Sequence, residues 1–292
     1  MNRRTENGNA VDYHIGIDWL SFTKEVKPDL DQSDYEFRQT IIPLFFPDSD
    51  QVEKNHTELF TVIDVQSGRA PYKQSIVFDW GARLYYNQNL PHALLEISGI
   101  GCKALRSFSL MEAFLSFALD RITRVDLAVD VDCDTQPIEI ITAGISGRFK
   151  SLSQITSDTG DTVYIGSRKS DKFLRVYRYA EPHPRHKLLR YEFVFKKKIA
   201  QPLMGAFISS GYDYVGLAQQ CKEQYMLETT NWPVEGDMID FKMDYDQRTA
   251  GGTLRWLITS VAPAFRSLVD NGLIDDPEKF LSDYFLKGVQ TS

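Results

Sequence analysis

Residues 160 to 198 leave the chain few ways to fold. Three runs of β-forming residues, Thr162 to Ile165, Phe173 to Tyr179 and Leu188 to Phe195, follow one another with short polar breaks between them. Runs of this kind satisfy their backbone N–H and C=O groups most directly as neighbouring strands of one meander. From Asp161 to Lys198 there are eleven Lys or Arg against four Asp or Glu, a local charge of +7 in a chain whose net charge is −7. Such a reversal of sign suggests a surface for a polyanion. Tyr177 lies inside it, with Arg175 two residues before and Tyr179 two after, so all three share a strand face. A free phenol ionises near pH ~10. Adjacent cations or a bound metal are expected to lower that value and turn the phenol into a nucleophile for phosphodiesters. The plainer reading is that Tyr177 and Tyr179 are ordinary β-formers.

Composition narrows the class. A chain of 292 residues makes one large or two modest domains, and 42% hydrophobic with 12% aromatic residues is enough for a core. No apolar run approaches the ~20 residues of a membrane span. The polar start has no apolar signal segment, and residues 1–11 are expected to be a disordered tail. Cys102, Cys133 and Cys221 are odd in number and far apart. They point to neither a zinc site nor a disulfide framework, and to a reducing, cytoplasmic compartment. The acidic total excludes coating of DNA by bulk charge and leaves room for a grip through one patch.

Period-two runs predict strands at 14–22, 59–65, 75–78, 82–86, 93–97 and 124–131, the fifth stopped by Gly99 and Gly101. Helical spacing covers 34–46, with Phe37, Ile41, Ile42 and Phe45 on one face. Ser109 and Glu112 have the spacing of a capping box opening a helix through Ala118. A looser stretch runs to Asp158, and helical patterns return at 199–209, 217–227 and 254–268. The class is α+β with a largely antiparallel sheet. A joint near the acidic stretch after Val234 and the Gly251-Gly252 pair gives a main domain over 12–235 and a helical C-terminal part over 236–292.

Asp126 and Asp130 share one face of their strand while Leu127 and Val129 take the other. With Glu96 or Glu192 from neighbouring strands they would offer oxygen ligands to a hard divalent cation. The alternative is two solvated acids on an open sheet face, and Asp132 and Asp134 read that way. Glu192 has Arg190 two residues before it on the same face, either a plain salt bridge or a ligand beside a phosphate donor. Glu96 is flanked by apolar residues and has no visible partner. Ser167, Arg168 and Lys169 sit in a turn that suits phosphate contacts or is simply a polar hairpin. The five histidines form no His-apolar-His triplet and read as non-catalytic.

Taken together, Ile17 to Thr23, Leu95 to Gly99, Thr123 to Asp130, Tyr164 to Ser170, Phe173 to Tyr177 and Arg190 to Glu192 resemble, in order and spacing, the replication-initiator and relaxase family typified by the rolling-circle plasmids of staphylococci. That family extends to initiators of filamentous bacteriophages, which the chain resembles most, and to relaxases of conjugative elements. The resemblance spans most of residues 12 to 200. It implies a curved, mostly antiparallel sheet backed by helices, like the TATA-binding-protein fold. It implies a site-specific DNA nicking and closing endonuclease in which Tyr177 is the nucleophile, leaving a 5′-phosphotyrosine and a free 3′-hydroxyl primer. Mg²⁺ or Mn²⁺ would be held by Asp126, Asp130 and Glu192, with Glu96 as a fourth. Arg175 and Arg190 would offset transition-state charge, and Ser167, Arg168, Lys169, Lys172 and Arg178 would contact DNA. The family usually follows its tyrosine with a small polar residue and lysine. Here Arg178 and Tyr179 follow, which makes Tyr179 a rival or second nucleophile. The implied partners are origin DNA as a hairpin or single strand, a host helicase and polymerase, and a second copy in a homodimer. The setting is the bacterial cytoplasm, with no membrane. A conjugative relaxase of the same chemistry and a non-catalytic DNA-binding or copy-control protein are the alternatives.

Overall fold

The computed structural model describes residues 2–6, 9–46, 61–134, 136–139, 151–157, 160–180, 187–225, 232, 234–241 and short pieces between 265 and 279. The chain divides into two compact units, Met1–Phe241 and Lys242–Ser292. Of the helix expected over 254–268, only residues 265 and 266 are described, and both are helical.

The first unit is built on one antiparallel sheet. Its strands are β1 (Asn2–Glu6), β2 (Asn9–Glu25), β3 (Val62–Ser67), β4 (Gln74–Phe78), β5 (Ala82–Tyr86), β6 (His92–Ile97), β7 (Ile122–Asp132), β8 (Leu152–Ser157), β9 (Gly160–Ile165), β10 (Lys172–Ala180) and β11 (Lys187–Lys196). They lie in the order β3-β4-β5-β6-β2-β7-β11-β10-β9-β8, with β1 on β2. Two meanders thus flank a central β2–β7 pair, and the basic meander is one of them. β8 was not foreseen, because its residues are exposed along their whole length and carry no core-facing alternation.

The start of the chain differs from expectation. Residues 2–6 pair with residues 9–13 as a hairpin rather than forming a disordered tail. β6 reaches β2 only from Leu20 to Glu25. Without β1, the first part of β2 would leave that edge of backbone donors and acceptors unpaired. Strand addition of this kind needs no apolar residues, so composition did not signal it.

Helix α1 (Asp34–Ile41) opens on a capping box in which the Ser33 hydroxyl accepts from the Glu36 amide and the Glu36 carboxylate accepts from the Ser33 amide. It buries Phe37 and Ile41 and gives way at Pro43, which lacks an amide proton, to a 3₁₀ turn over Ile42–Phe45. Helix α2 (Gly99–Ser107) was not foreseen, since its glycines look like strand breakers. Gly101 is there for space: a Cβ would stand 2.7 Å from the Ile97 side chain and 3.0 Å from the Gly81 carbonyl oxygen. Helix α3 (Met111–Ala118) starts where expected but without the capping box, because Leu110 occupies the N-cap and Ser109 has φ of 58°. Helices α4 (Ala200–Ser209) and α5 (Tyr214–Tyr225) follow the sheet. Among the described residues no helix is long and apolar enough to cross a membrane.

Side-chain alternation gives the sheet two unlike faces. Val125, Leu127, Val129 and Val131 of β7, Leu174 and Val176 of β10, and Tyr191, Phe193 and Phe195 of β11 are buried in the core. The Phe193 ring lies 5.6 Å from Tyr225 of α5 and 6.1 Å from Trp232. Fully burying such a side chain stabilises by about 1.5–3 kcal/mol. The intervening positions of the same strands hold Arg175, Tyr177, Arg190, Glu192, Asp126 and Asp130, which face away from those helices.

Candidate active site

Strand register assembles the polar face. Asp130 is opposite Arg190, Ala128 opposite Glu192, Arg190 opposite Tyr177 and Glu192 opposite Arg175. Directly paired residues of antiparallel strands point the same way, so these side chains form one patch across β7, β11 and β10. A bulge in β2 between Ile17 and Trp19 adds Asp18 to it.

Tyr177 and Glu192 meet at the centre. The Tyr177 hydroxyl donates to Glu192 Oε2 at 2.8 Å. Arg175 donates to the same oxygen, and its guanidinium lies 4.8 Å from the Tyr177 ring centroid. Glu192 is buried, so this carboxylate is held by its neighbours rather than by water. Arg175 Nε is buried and has no hydrogen-bond partner, and neither has Trp19 Nε1 on the same face. These are two donors still open to an acceptor.

Each of the other acids is met by an arginine. Asp130 accepts from Arg190 Nε at 2.6 Å and Nη2 at 2.8 Å, and Arg190 Nη1 reaches Asp18 at 3.0 Å. Asp126 accepts from Arg124 Nε at 2.8 Å and Nη2 at 2.5 Å, and the Arg124 guanidinium lies 4.8 Å from the Trp19 ring centroid. Glu96 pairs with Arg69 two strands away from β7. Asp126 and Asp130 are therefore not the solvated acids that the plainer reading offered. Among the described residues, no three His, Cys, Asp or Glu side chains come together closely enough to share a cation.

Electrostatics departs from expectation at the tyrosine. Burial, followed by the charge of Glu192, pushes the Tyr177 phenol up, outweighing the opposing pull of Arg175 and Arg190. The expected lowering is reversed, and the phenol keeps its proton at neutral pH. Asp126 is pushed up to about 7, first by burial and then by Glu192, against the hydrogen bonds and charge of Arg124. Burial works against the charge on Arg190, but Asp130 and Asp18 more than restore it.

The proposed DNA contacts separate. Ser167, Arg168 and Lys169 are exposed in the turn between β9 and β10, and the Arg168 guanidinium leans 5.2 Å from the ring of Tyr164, which is opposite Arg175. Lys172 and Arg178 have the other parity on β10. Lys172 Nζ lies 5.7 Å from the Tyr225 ring on the helical side, and Arg178 donates to the Cys133 carbonyl at 2.6 Å. Tyr179 is opposite Leu188 in the register, and its side chain lies outside the described residues. Sequence reasoning missed Asp18 and Arg124. The Arg-x-Asp spacing of Arg124 and Asp126 was a usable signal. Nothing in the residue types announced the bulge that delivers Asp18.

No protein-family model matches the chain, and no curated protein matches it. Among solved structures it is similar to the rolling circle replication initiator protein from Geobacillus stearothermophilus. The TM-score is 0.53 with 18% sequence identity over 77% of this chain and 93% of that one. The chain therefore has the fold of a rolling-circle replication initiator, an α+β fold with a large antiparallel sheet backed by helices.

Proposed function

We propose that this protein is a cytoplasmic rolling-circle replication initiator of a phage or plasmid, which nicks one strand of its origin by tyrosine transesterification. The observation that carries the reading is the 2.8 Å hydrogen bond from the Tyr177 hydroxyl to buried Glu192, under the Arg175 guanidinium. In this mechanism an entering phosphate draws Arg175 from the carboxylate, helped by its unpartnered Nε. Glu192 then takes the phenolic proton as Tyr177 Oη attacks phosphorus. The P–O3′ bond breaks as the Tyr177–phosphate bond forms and the leaving O3′ takes a proton from solvent water, so the 5′-phosphate is carried on the enzyme and a 3′-hydroxyl is released to prime synthesis. Arg175 and Arg190 offset the charge that builds on the phosphate oxygens. Bond energy is conserved in the adduct, and a nucleotide cofactor is not needed.

The donor chemistry of the patch fits Mg²⁺ or Mn²⁺, which take carboxylate oxygens. Asp126 and Glu192, on adjacent strands of one face, are paired with the partly exposed Arg124 and Arg175, which can swing aside, and these two acids would hold the ion. Asp130 is committed to Arg190, and Glu96 to Arg69. A divalent ion would supply Lewis-acid stabilisation of phosphate charge. Origin hairpin or single-stranded DNA, a host helicase and polymerase, and a second copy of the chain are the proposed partners. A conjugative relaxase would use the same steps at a transfer origin. The test is nicking of supercoiled DNA carrying the replicon that encodes the chain, with Mg²⁺, Mn²⁺ or chelator. Open circles with protein on the 5′ end are expected with metal, and intact supercoils in all arms would leave only a non-catalytic DNA-binding protein.

A further inference from the structure

Beside the Tyr177–Glu192 pair, α2 and the β2–β7 pair border a cleft of about 530 Å³, of whose lining the mechanism above uses Arg190 alone. Its floor exists because the two central strands carry their smallest residues opposite one another, Gly16 and Ala128. A Cβ on Gly16 would lie 2.8 Å from Arg106 Nη1 and 3.4 Å from His14 Nε2, so glycine lets a guanidinium and an imidazole close over bare backbone. Arg106 is held there by donating to the Ile17 carbonyl at 2.5 Å. Exposed Lys103, one turn earlier on α2, completes a cationic wall. The opposite wall is the Asp130–Arg190–Asp18 chain, and Arg190 is also the residue opposite Tyr177. Cleft and nucleophile are thus joined through one guanidinium.

We infer that this cleft is the subsite for a nucleotide of single-stranded DNA next to the scissile phosphate, its base stacking on the open side of His14 and Arg106 beside Ala128, and its phosphate facing Lys103. The size is that of a pocket for one small-molecule unit. Planar imidazole and guanidinium groups are the usual partners of an unstacked base, and a lysine beside them is a phosphate contact. The inference rests on the proposed reading that DNA crosses this face, and it adds where the neighbouring nucleotide sits.

The experiment measures binding, not cleavage. An octamer of thymidylate is titrated by fluorescence anisotropy into the Tyr177→Phe protein at several salt concentrations, alone and with Lys103→Ala, His14→Ala or Ala128→Leu added. Circular dichroism checks that each variant is folded. Lys103→Ala is expected to lower the slope of log K against log salt by about one. His14→Ala, with Ala128→Leu filling the floor, is expected to weaken binding about five- to tenfold. Arg121→Ala, at an exposed ion pair with Glu25 away from the cleft, should change neither quantity. Unaltered slope and affinity in folded Lys103→Ala and His14→Ala would overturn the subsite even if nicking is observed. Failure to nick with these binding effects intact would overturn the enzymatic reading alone.

Discussion

Asp130→Ala should destabilise the protein mainly by depriving the buried Arg190 guanidinium of its principal counter-charge. Arg190 and Asp130 are side chains only 5% and 6% exposed, joined by bonds of 2.6 and 2.8 Å. Removing one member of such a pair typically costs about 3–5 kcal/mol, because the survivor stays buried and uncompensated. Asp18 still reaches Arg190 at 3.0 Å from a side chain 19% exposed, which places the expected cost near the lower end, about 3 kcal/mol. With a urea dependence of about 3 kcal/mol per molar, the unfolding midpoint should fall by about 1 M. Asp18→Asn, which leaves the Asp130 fork intact, should cost about 1–2 kcal/mol. Replacing both members with apolar residues of similar volume, Asp130→Leu with Arg190→Met, removes the buried fork and should recover part of the loss, leaving a deficit of about 1–2 kcal/mol from the Asp18 pair that goes with Arg190. Equilibrium urea unfolding by tryptophan fluorescence and circular dichroism reads all three. A double variant as unstable as Asp130→Ala would refute the reasoning, since the cost would then lie in packing rather than in an orphaned guanidinium.

Other expectations follow from the same patch. Glu192→Gln should slow nicking by about 10²- to 10⁴-fold while leaving oligonucleotide affinity within about twofold, because it removes a proton acceptor and spares the arginines; single-turnover cleavage and anisotropy measured in parallel would check it. Asp126 is raised from 3.8 to about 7, so between those pH values the folded state keeps a proton that the unfolded state has lost. Stability from this group is therefore greatest at acid pH and falls as pH rises toward 7. Asp126→Asn should flatten that part of the stability–pH curve, and an unchanged slope in urea titrations would contradict the assignment. Arg168→Ala should reduce the salt slope of DNA binding by about one, whereas Lys172→Ala, on the helical face, should leave it unchanged. Equal slopes for the two variants would contradict the division of the faces.

The meander and its parity were legible in the residues. Apolar residues at every second position with short polar turns gave β9, β10 and β11, and the two-residue spacings put Arg175 with Tyr177 and Arg190 with Glu192. The same parity could have removed Lys172 and Arg178 from the DNA-facing set, because both are an odd number of residues from Tyr177. Which arginine meets which acid depends on strand register, which local pattern does not carry. Asp18 reaches the site only through a bulge. Helix α2 was hidden because Gly99 and Gly101 serve close packing while looking like strand terminators. The rise in the Tyr177 phenol was hidden because charge counting along the chain shows the arginines but not the burial of Glu192 beside the hydroxyl.

The most direct measurement is covalent trapping on single-stranded oligonucleotides that carry the nick site, with Mg²⁺ or Mn²⁺ present. Parent protein should run as a protein–DNA adduct after denaturation, with the linkage mapped by mass spectrometry to Tyr177, and Tyr177→Phe should give none while Tyr179→Phe still forms it. An adduct that survives in Tyr177→Phe, or one mapped to Tyr179, would contradict the account.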